Sequence, residues 1–253
     1  MGRILNNQKS GSCICIRVSV CAVLLLVAQS LLAQRVFERG DEVIYQDAKG
    51  NQIKLGLGSS PILNRGKVAM IRGFRVRYGD PFDCRYKERR NWIVTYDPIT
   101  RAEKTLFDQA LPFGRKGIEF CVFEQMQMSS DGRTLYLVSP VYATSGSLAI
   151  VQLPSRPINY VPGVNEVYVI ETGPHRGEVI YSRRLNRRDR KDPNGGEYPY
   201  YPFVHARENG EQIRVVSDEE FTVGSTNAPL LAEYLRNIGG RITVNGQFPN
   251  RFQ

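Results

Sequence analysis

Apolar and polar positions alternate along this chain in short runs separated by polar turns, and the pattern predicts strand after strand. The clearest stretch begins at Met126. A polar Ser129-Ser130-Asp131-Gly132 turn is followed by apolar Leu135, Leu137 and Val138, with Tyr136 between them. Asp-Gly supplies the positive φ that a tight turn needs, and β-forming residues flank it, so the phrase predicts a hairpin. A fainter copy runs from Ser60 to Ile71. Recurrence at such a spacing predicts repeated sheet modules, an architecture that usually serves binding.

The same pattern continues on both sides. Segments 42–45 and 52–55 flank a polar turn at 47–51, and 68–71 forms a further strand. Segments 91–96 and 102–107 flank Asp97-Pro98-Ile99-Thr100. Strands are also predicted at 120–123, 148–153, 167–170 and 178–182, the last two separated by Gly173-Pro174-His175-Arg176-Gly177. Segments 200–205 and 212–216 flank Glu208-Asn209-Gly210-Glu211 as a last hairpin, and two basic stretches, 78–90 and 183–196, read as long loops. One helix is predicted, 229–238, from the spacing of Leu230, Leu231, Tyr234, Leu235 and Ile238. Thr226 or Asn227 can cap its start and Gly239-Gly240 can end it, and its apolar stripe is a core-packing face.

Three strings bear on the type of sheet. They are Trp92 to Pro98 with Lys104-Thr105-Leu106, then Ser129 to Tyr136, then Gly146 to Val151. Together they resemble the repeats of TolB-type β-propellers, in which a blade ends on a strand pair and the next opens on a Ser-Pro-Asp-Gly-Lys-like turn. Ser130 stands where that turn has proline, and Asn64-Arg65 where the upstream copy would have aspartate. The resemblance covers about residues 42–216 and implies three or four propeller-like antiparallel blades. The segment from Gly173 through Gly210-Glu211 is also similar to exported bacterial proteins of unassigned function, which implies a periplasmic location and no reaction. The expected organisation is a mainly β, propeller-like domain over residues 34–240 with one short C-terminal helix, then a tail at 241–253.

Residues 1–33 read as a secretory signal peptide. Arg3, Lys9 and Arg17 precede or open an apolar run from Val18 to Ala33, and no acidic residue occurs before Glu38. The run is short for a membrane span, which needs about 20 residues, so cleavage after Ala33 is expected and an uncleaved anchor is the alternative. No comparable run follows, so no stable span is expected after cleavage, and the location is periplasmic or secreted. Cys13, Cys15 and Cys21 fall in the leader, leaving Cys84 and Cys121. In an oxidising compartment an isolated pair reads as a disulfide, the alternative being two buried thiols.

The chain carries +9, and three of those cations lie in the leader. The remaining excess is concentrated in two places. Arg183, Arg184, Arg187, Arg188, Arg190 and Lys191 crowd one, beside Tyr198, Tyr200 and Tyr201. Arg85, Lys87, Arg89 and Arg90 crowd the other. Arginines interleaved with aromatics can grip a polyanion. Export excludes intracellular nucleic acid and favours an envelope protein or an acidic polymer, while a solvated loop is the plainer alternative.

Chemistry is sparsely signalled. His175 and His205 are the two histidines, one in a turn and one in a strand, with no evident His/Cys/carboxylate cluster for a metal. No Gly-x-Ser-x-Gly elbow and no phosphate-binding glycine loop occurs. Asp41-Glu42 and Asp218-Glu219-Glu220 read as solvated turns. No metal, no cofactor and no catalytic residue is therefore assigned. The expected function is non-catalytic binding through the two basic segments. A hydrolase joining a histidine to a carboxylate and a Ser or Thr is the rival, as is a structural envelope module that oligomerises to cover its sheet edges.

Overall fold

The computed structural model describes residues 34–73, 90–108, 111–112, 119–142, 145–154, 157–191, 197–200, 202–216 and 228–242. The strands come in chain order as small meanders. β1 (Arg35–Arg39), β2 (Glu42–Gln46) and β3 (Gln52–Leu57) form a three-stranded sheet. β4 (Ser59–Asn64), β5 (Lys67–Gly73), β6 (Asn91–Tyr96) and β7 (Glu103–Phe107) form a four-stranded antiparallel sheet. A two-stranded ladder, β8 (Leu111–Pro112) with β9 (Glu119–Phe120), leads to the next meander. That meander comprises β10 (Gln125–Met128), β11 (Thr134–Tyr142), β12 (Ser145–Gln152) and β13 (Pro157–Pro162). The last begins with β14 (Val164–Val169) and β15 (Val179–Arg183). A hairpin, β16 (Leu185–Lys191) with β17 (Glu197–Tyr200), then interrupts it before β18 (Phe203–Ala206) and β19 (Gln212–Val215) complete it. Helix α1 (Ala228–Asn237) follows.

Two compact units are distinguished, Met1–Arg35 with Gln46–Gln52, and Val36–Tyr45 with Ile53–Gln253. In the first, Asp47 Oδ1 accepts the backbone N–H groups of Lys49 and Asn51 at 2.8 and 2.9 Å, closing an Asx turn. The Asn51 side chain donates to Asp47 Oδ2, and this bond does most to hold the carboxyl below its ordinary range.

In the second unit, side-chain alternation decides the packing, because successive residues of a strand face opposite sides. On β5, Val68 and Met70 join Val43, Tyr45, Leu55 and Val94 in one core. Ala69 and Ile71 point the other way, into a core with Ile93, Phe107, Met126, Leu135, Leu137, Ala149 and Val151. On β11 and β12, Tyr136, Val138, Leu148 and Ile150 turn from that core into a third, with Val164, Val167, Val179, Tyr181 and Val204. Tyr168, Ile180 and Phe203 face out of the last sheet onto Leu231, Tyr234 and Leu235 of α1. Each four-stranded sheet is thus buried on both faces, and the sheets stack face to face with the helix covering the final one. Among the opening strands, β10 lies against both β4 and β14. Meanders stacked on their faces with first strands adjacent are the arrangement of propeller blades, as expected from the sequence.

Side-chain amides tie strands to neighbouring backbone, because a primary amide carries the same donor and acceptor as a peptide. Asn91 on β6 donates to Phe123 O at 2.8 Å and accepts from Phe123 N at 2.9 Å. Gln125 on β10 does the same for Val167 on β14, both bonds at 2.9 Å. Gly146 is required where two strands close in. A Cβ there would fall 2.6 Å from Val164 O and 2.7 Å from Ser139 O.

The predicted hairpin turn forms as expected. Gly132 takes φ +74°, and Asp131 Oδ1 accepts from the Ser129 hydroxyl at 2.6 Å and from Arg133 N at 2.9 Å. The Ser129 hydroxyl bond does most to hold the Asp131 carboxyl below its usual range. In the upstream copy, Arg65 and Gly66 take φ 50° and 78°, and Asn64 Nδ2 donates to Ser129 O at 3.1 Å, so the two turns touch. The helix spans Ala228–Asn237, and Gly239 and Gly240 end it by donating to Arg236 O and Leu235 O. Two expectations are corrected. Cys121 to Phe123 are not a strand, since Asn91 takes the hydrogen bonds a ladder would have supplied. The basic stretch after Arg183 is not a loop but strand β16, paired with β17.

Replacing Asn91 with alanine strands the buried N–H and C=O of Phe123. We expect a loss of about 2–4 kcal/mol, since each unsatisfied buried polar group costs about 1–3 kcal/mol. Urea unfolding of the variant against the parent measures it, and a loss below about 0.5 kcal/mol contradicts this role.

Candidate functional site

The most chemically distinctive group of side chains lies on the outer face of the last sheet. The turn between β14 and β15 is shaped by glycines. Gly173 has φ +83°, and a Cβ on it would sit 2.3 Å from Gly239 O at the end of α1. Gly177 has φ +95° and donates its N–H to Ile170 O at 2.9 Å. This turn places His175 three residues before Glu178, whose N–H donates to His175 O at 3.1 Å. His205 comes from β18, where it stands opposite Ile180 on β15 and Arg214 on β19. Because Ile180 faces α1, so does its cross-strand neighbour His205.

Three ligand-type atoms converge there. His175 Nδ1 lies 2.9 Å from Glu178 Oε2, and His205 Nε2 lies 2.6 Å from the same oxygen. The imidazole centroids are 5.1 Å apart with the rings at 79°. His205 is sealed, its side chain 2% exposed, whereas those of His175 and Glu178 are 40% and 30% exposed. Behind His205, its Nδ1 lies 2.7 Å from the Tyr234 hydroxyl. Arg214 Nε donates to that hydroxyl at 3.0 Å, and the guanidinium carbon stands 4.6 Å from the Tyr234 ring centroid. Burial pushes the His205 imidazole below its ordinary pKa, against the opposing pull of Glu178, so desolvation favours the neutral ring.

The contact between His205 Nε2 and Glu178 Oε2 is short, an ion pair whenever the ring is protonated. Nε2 has no hydrogen-bond partner among the described residues. With the ring neutral and Nε2 bare, the nitrogen lone pair faces a carboxylate oxygen and the two repel; with Nε2 protonated they form an ion pair. The bare arrangement is costly unless something positive shares it.

The sequence reading assigned no metal-type cluster, and the fold corrects that. His175, Glu178 and His205 offer ligand atoms that all lie within 4.8 Å of one another. The spacing His175-x-x-Glu178 was a local signal. Its partner His205 is 30 residues away and is delivered only by the β15–β18 register. The rival hydrolase also calls for a serine or threonine. Among the described residues, none makes a hydrogen bond to these three side chains.

The structure groups part of the basic set chosen from sequence. Arg183 ends β15 and is half-buried, and Arg184 is exposed, its N–H donating to Gly163 O at 2.7 Å. Arg187, Arg188, Arg190 and Lys191 lie along β16. There Arg187 is paired with Tyr198, Leu185 with Tyr200 and Lys191 with Glu197. The basic and aromatic runs are therefore adjacent strands of one hairpin inserted between β15 and β18. Arg90 is half-buried just before β6. Arg85, Lys87, Arg89, Tyr201 and Cys84 lie outside the described residues, while Cys121 is buried. Among the described residues no helix is long and apolar enough to cross a membrane.

No protein-family model and no curated protein matches this chain. Solved structures similar to it include TolB from Acinetobacter baumannii, at 15% identity over 81% of this chain and 49% of that one, TM-score 0.41. The β-propeller domain of the Trilobed protease from Pyrococcus furiosus is similar at 12% identity over 72% and 52%, TM-score 0.39. Pyrococcus horikoshii acylaminoacyl peptidase is similar at 12% identity over 68% and 27%, TM-score 0.41. The chain thus spans about half or less of each.

Tyr234→Phe removes the oxygen that serves both His205 Nδ1 and Arg214 Nε. We expect it to cost about 1–3 kcal/mol, because two partly or fully buried groups lose a shared partner. Chemical denaturation checks this, and an unchanged midpoint contradicts it.

Proposed function

We propose that this chain is an exported, propeller-like binding protein that recognises an acidic envelope polymer through the β16–β17 hairpin. The observation that carries the reading is the hairpin's register. Arg187 on the basic strand stands opposite Tyr198 on the aromatic strand, and the hairpin leaves the β15–β18 pairing intact around it. Residues inserted between two paired strands are released from the packing that fixes a blade, so they are suited to contact. Arginine presents a planar fork to carboxylate or phosphate oxygens, and an adjacent aromatic adds a stacking face.

Export is read from the leader at 1–33, and with it the expectation that Cys84 and Cys121 are bridged. Such a bridge would constrain the unfolded chain across the 84–121 loop. Peptide mapping without reduction should recover the two cysteines in one linked fragment. Two alkylated free thiols in the exported protein would remove the bridge from this account.

Binding is tested with an immobilised anionic polysaccharide. The triple substitution Arg187→Glu, Arg188→Glu, Arg190→Glu should weaken retention at least tenfold and flatten its dependence on salt, because paired charges release counterions. The circular dichroism spectrum should not change. Equal retention of parent and variant rejects the hairpin as the contact surface, and capture of a protein but no polymer replaces the ligand class.

A further inference from the structure

We propose that His175 Nδ1, Glu178 Oε and His205 Nε2 form a binding site for a late first-row divalent cation, zinc foremost, with its fourth position toward solvent. This inference does not rest on the polymer-binding reading, since it uses the last four-stranded sheet and not the β16–β17 hairpin.

The donor set is the first argument. Two imidazoles and one carboxylate suit zinc and its neighbours, whereas magnesium and calcium prefer oxygen donors throughout. Three protein ligands leave one position open, the pattern of zinc sites that hold water or an exchangeable ligand rather than of closed structural sites. Exposure agrees with that division. His205 is the sealed ligand, and the half-exposed His175 and Glu178 form the rim.

The geometry is the second. The three atoms lie within 4.8 Å of one another. In a tetrahedral zinc site, bonds of about 2.0–2.2 Å set ligand atoms about 3.3–3.6 Å apart. The gaps of 2.6 and 2.9 Å around Glu178 Oε2 therefore need to open by about 0.4–1 Å. The exposed end of the Glu178 side chain has room to make that adjustment.

The unmatched nitrogen is the third. Suppose His205 Nδ1 carries the proton and donates it to the Tyr234 oxygen. Nε2 then presents a bare lone pair to a carboxylate oxygen at 2.6 Å, an arrangement that repels unless a proton or a metal cation lies between. Suppose instead that the Tyr234 hydroxyl donates to Nδ1. Nε2 then carries a buried proton that no described residue accepts in hydrogen-bond geometry. A cation sharing Nε2 and Oε2 removes the conflict in the first case. That case also gives the outer contact typical of metal-binding histidine, whose second nitrogen donates to a fixed oxygen. Arg214 fixes that oxygen by donating to it from the other side. The bound ion would tie the 173–178 turn to β18 and, through Tyr234, to α1.

The full-length chain, without a polyhistidine tag and stripped by a chelator, is titrated with zinc chloride in a calorimeter. Cobalt(II) serves as an absorbing probe of coordination. We expect one equivalent of zinc, a visible cobalt spectrum of tetrahedral type, and a melting temperature that rises with zinc concentration. His175→Ala and Glu178→Gln alter the exposed rim, so folding should survive, and each should weaken zinc at least tenfold and lose the tetrahedral spectrum. Tyr234→Phe should weaken it by about tenfold as a positioning residue. Failure of the parent chain to take up zinc overturns the proposal. So does zinc bound equally by the parent, His175→Ala and Glu178→Gln, which places the ion elsewhere. Either result leaves polysaccharide retention unaffected.

Discussion

The architecture depends on alternation being apolar on both faces of the middle strands. Val68 to Ile71, Leu135 to Val138 and Leu148 to Val151 are continuous apolar runs, and each splits between two cores. An antiparallel sheet with one wet face would show polar residues at every second position. A sheet apolar on both faces must find a partner on each side. Repetition of that demand stacks the meanders in series, and each core residue contributes through area removed from water. The stack needs a cover at its end, and the apolar stripe of α1 provides one.

Burying both faces creates a second constraint, since backbone groups at the joints between sheets lie out of reach of water. Asn91 and Gln125 meet it with side-chain amides that pair with a peptide as another strand would. Such an amide supplies a local pair of hydrogen bonds without continuing the ladder. The sheets therefore stay separate meanders while their edges remain satisfied. Gly146 answers the same crowding sterically.

Both candidate surfaces belong to the last stretch of chain, β14 to α1, which departs most from a plain meander. Its long connection between β15 and β18 carries the basic and aromatic strands of the hairpin. The outer face of its four-stranded sheet meets a helix rather than another sheet, and there His205 is sealed between β-sheet and Tyr234. Regular repeats settle packing, and the irregular unit is free to carry chemistry.

The strand pattern, the Asp131-Gly132 turn, the helix and the repeated sheet modules were legible in the sequence because each depends on local periodicity or on a residue's own backbone preference. The grouping of arginines with tyrosines was legible as composition, but not as paired strands. A predominantly basic run gives no period that separates a loop from a paired strand. Segment 121–123 was misread because apolar residues look alike in a strand and in a buried connection, and the hydrogen bonds from Asn91 that distinguish them come from 32 positions away. The His175–Glu178–His205 cluster was beyond sequence for the same reason. Residue identities place a histidine three positions before a glutamate. Only the register of β15 against β18, set by which face each core residue must bury, brings the second histidine to that carboxylate.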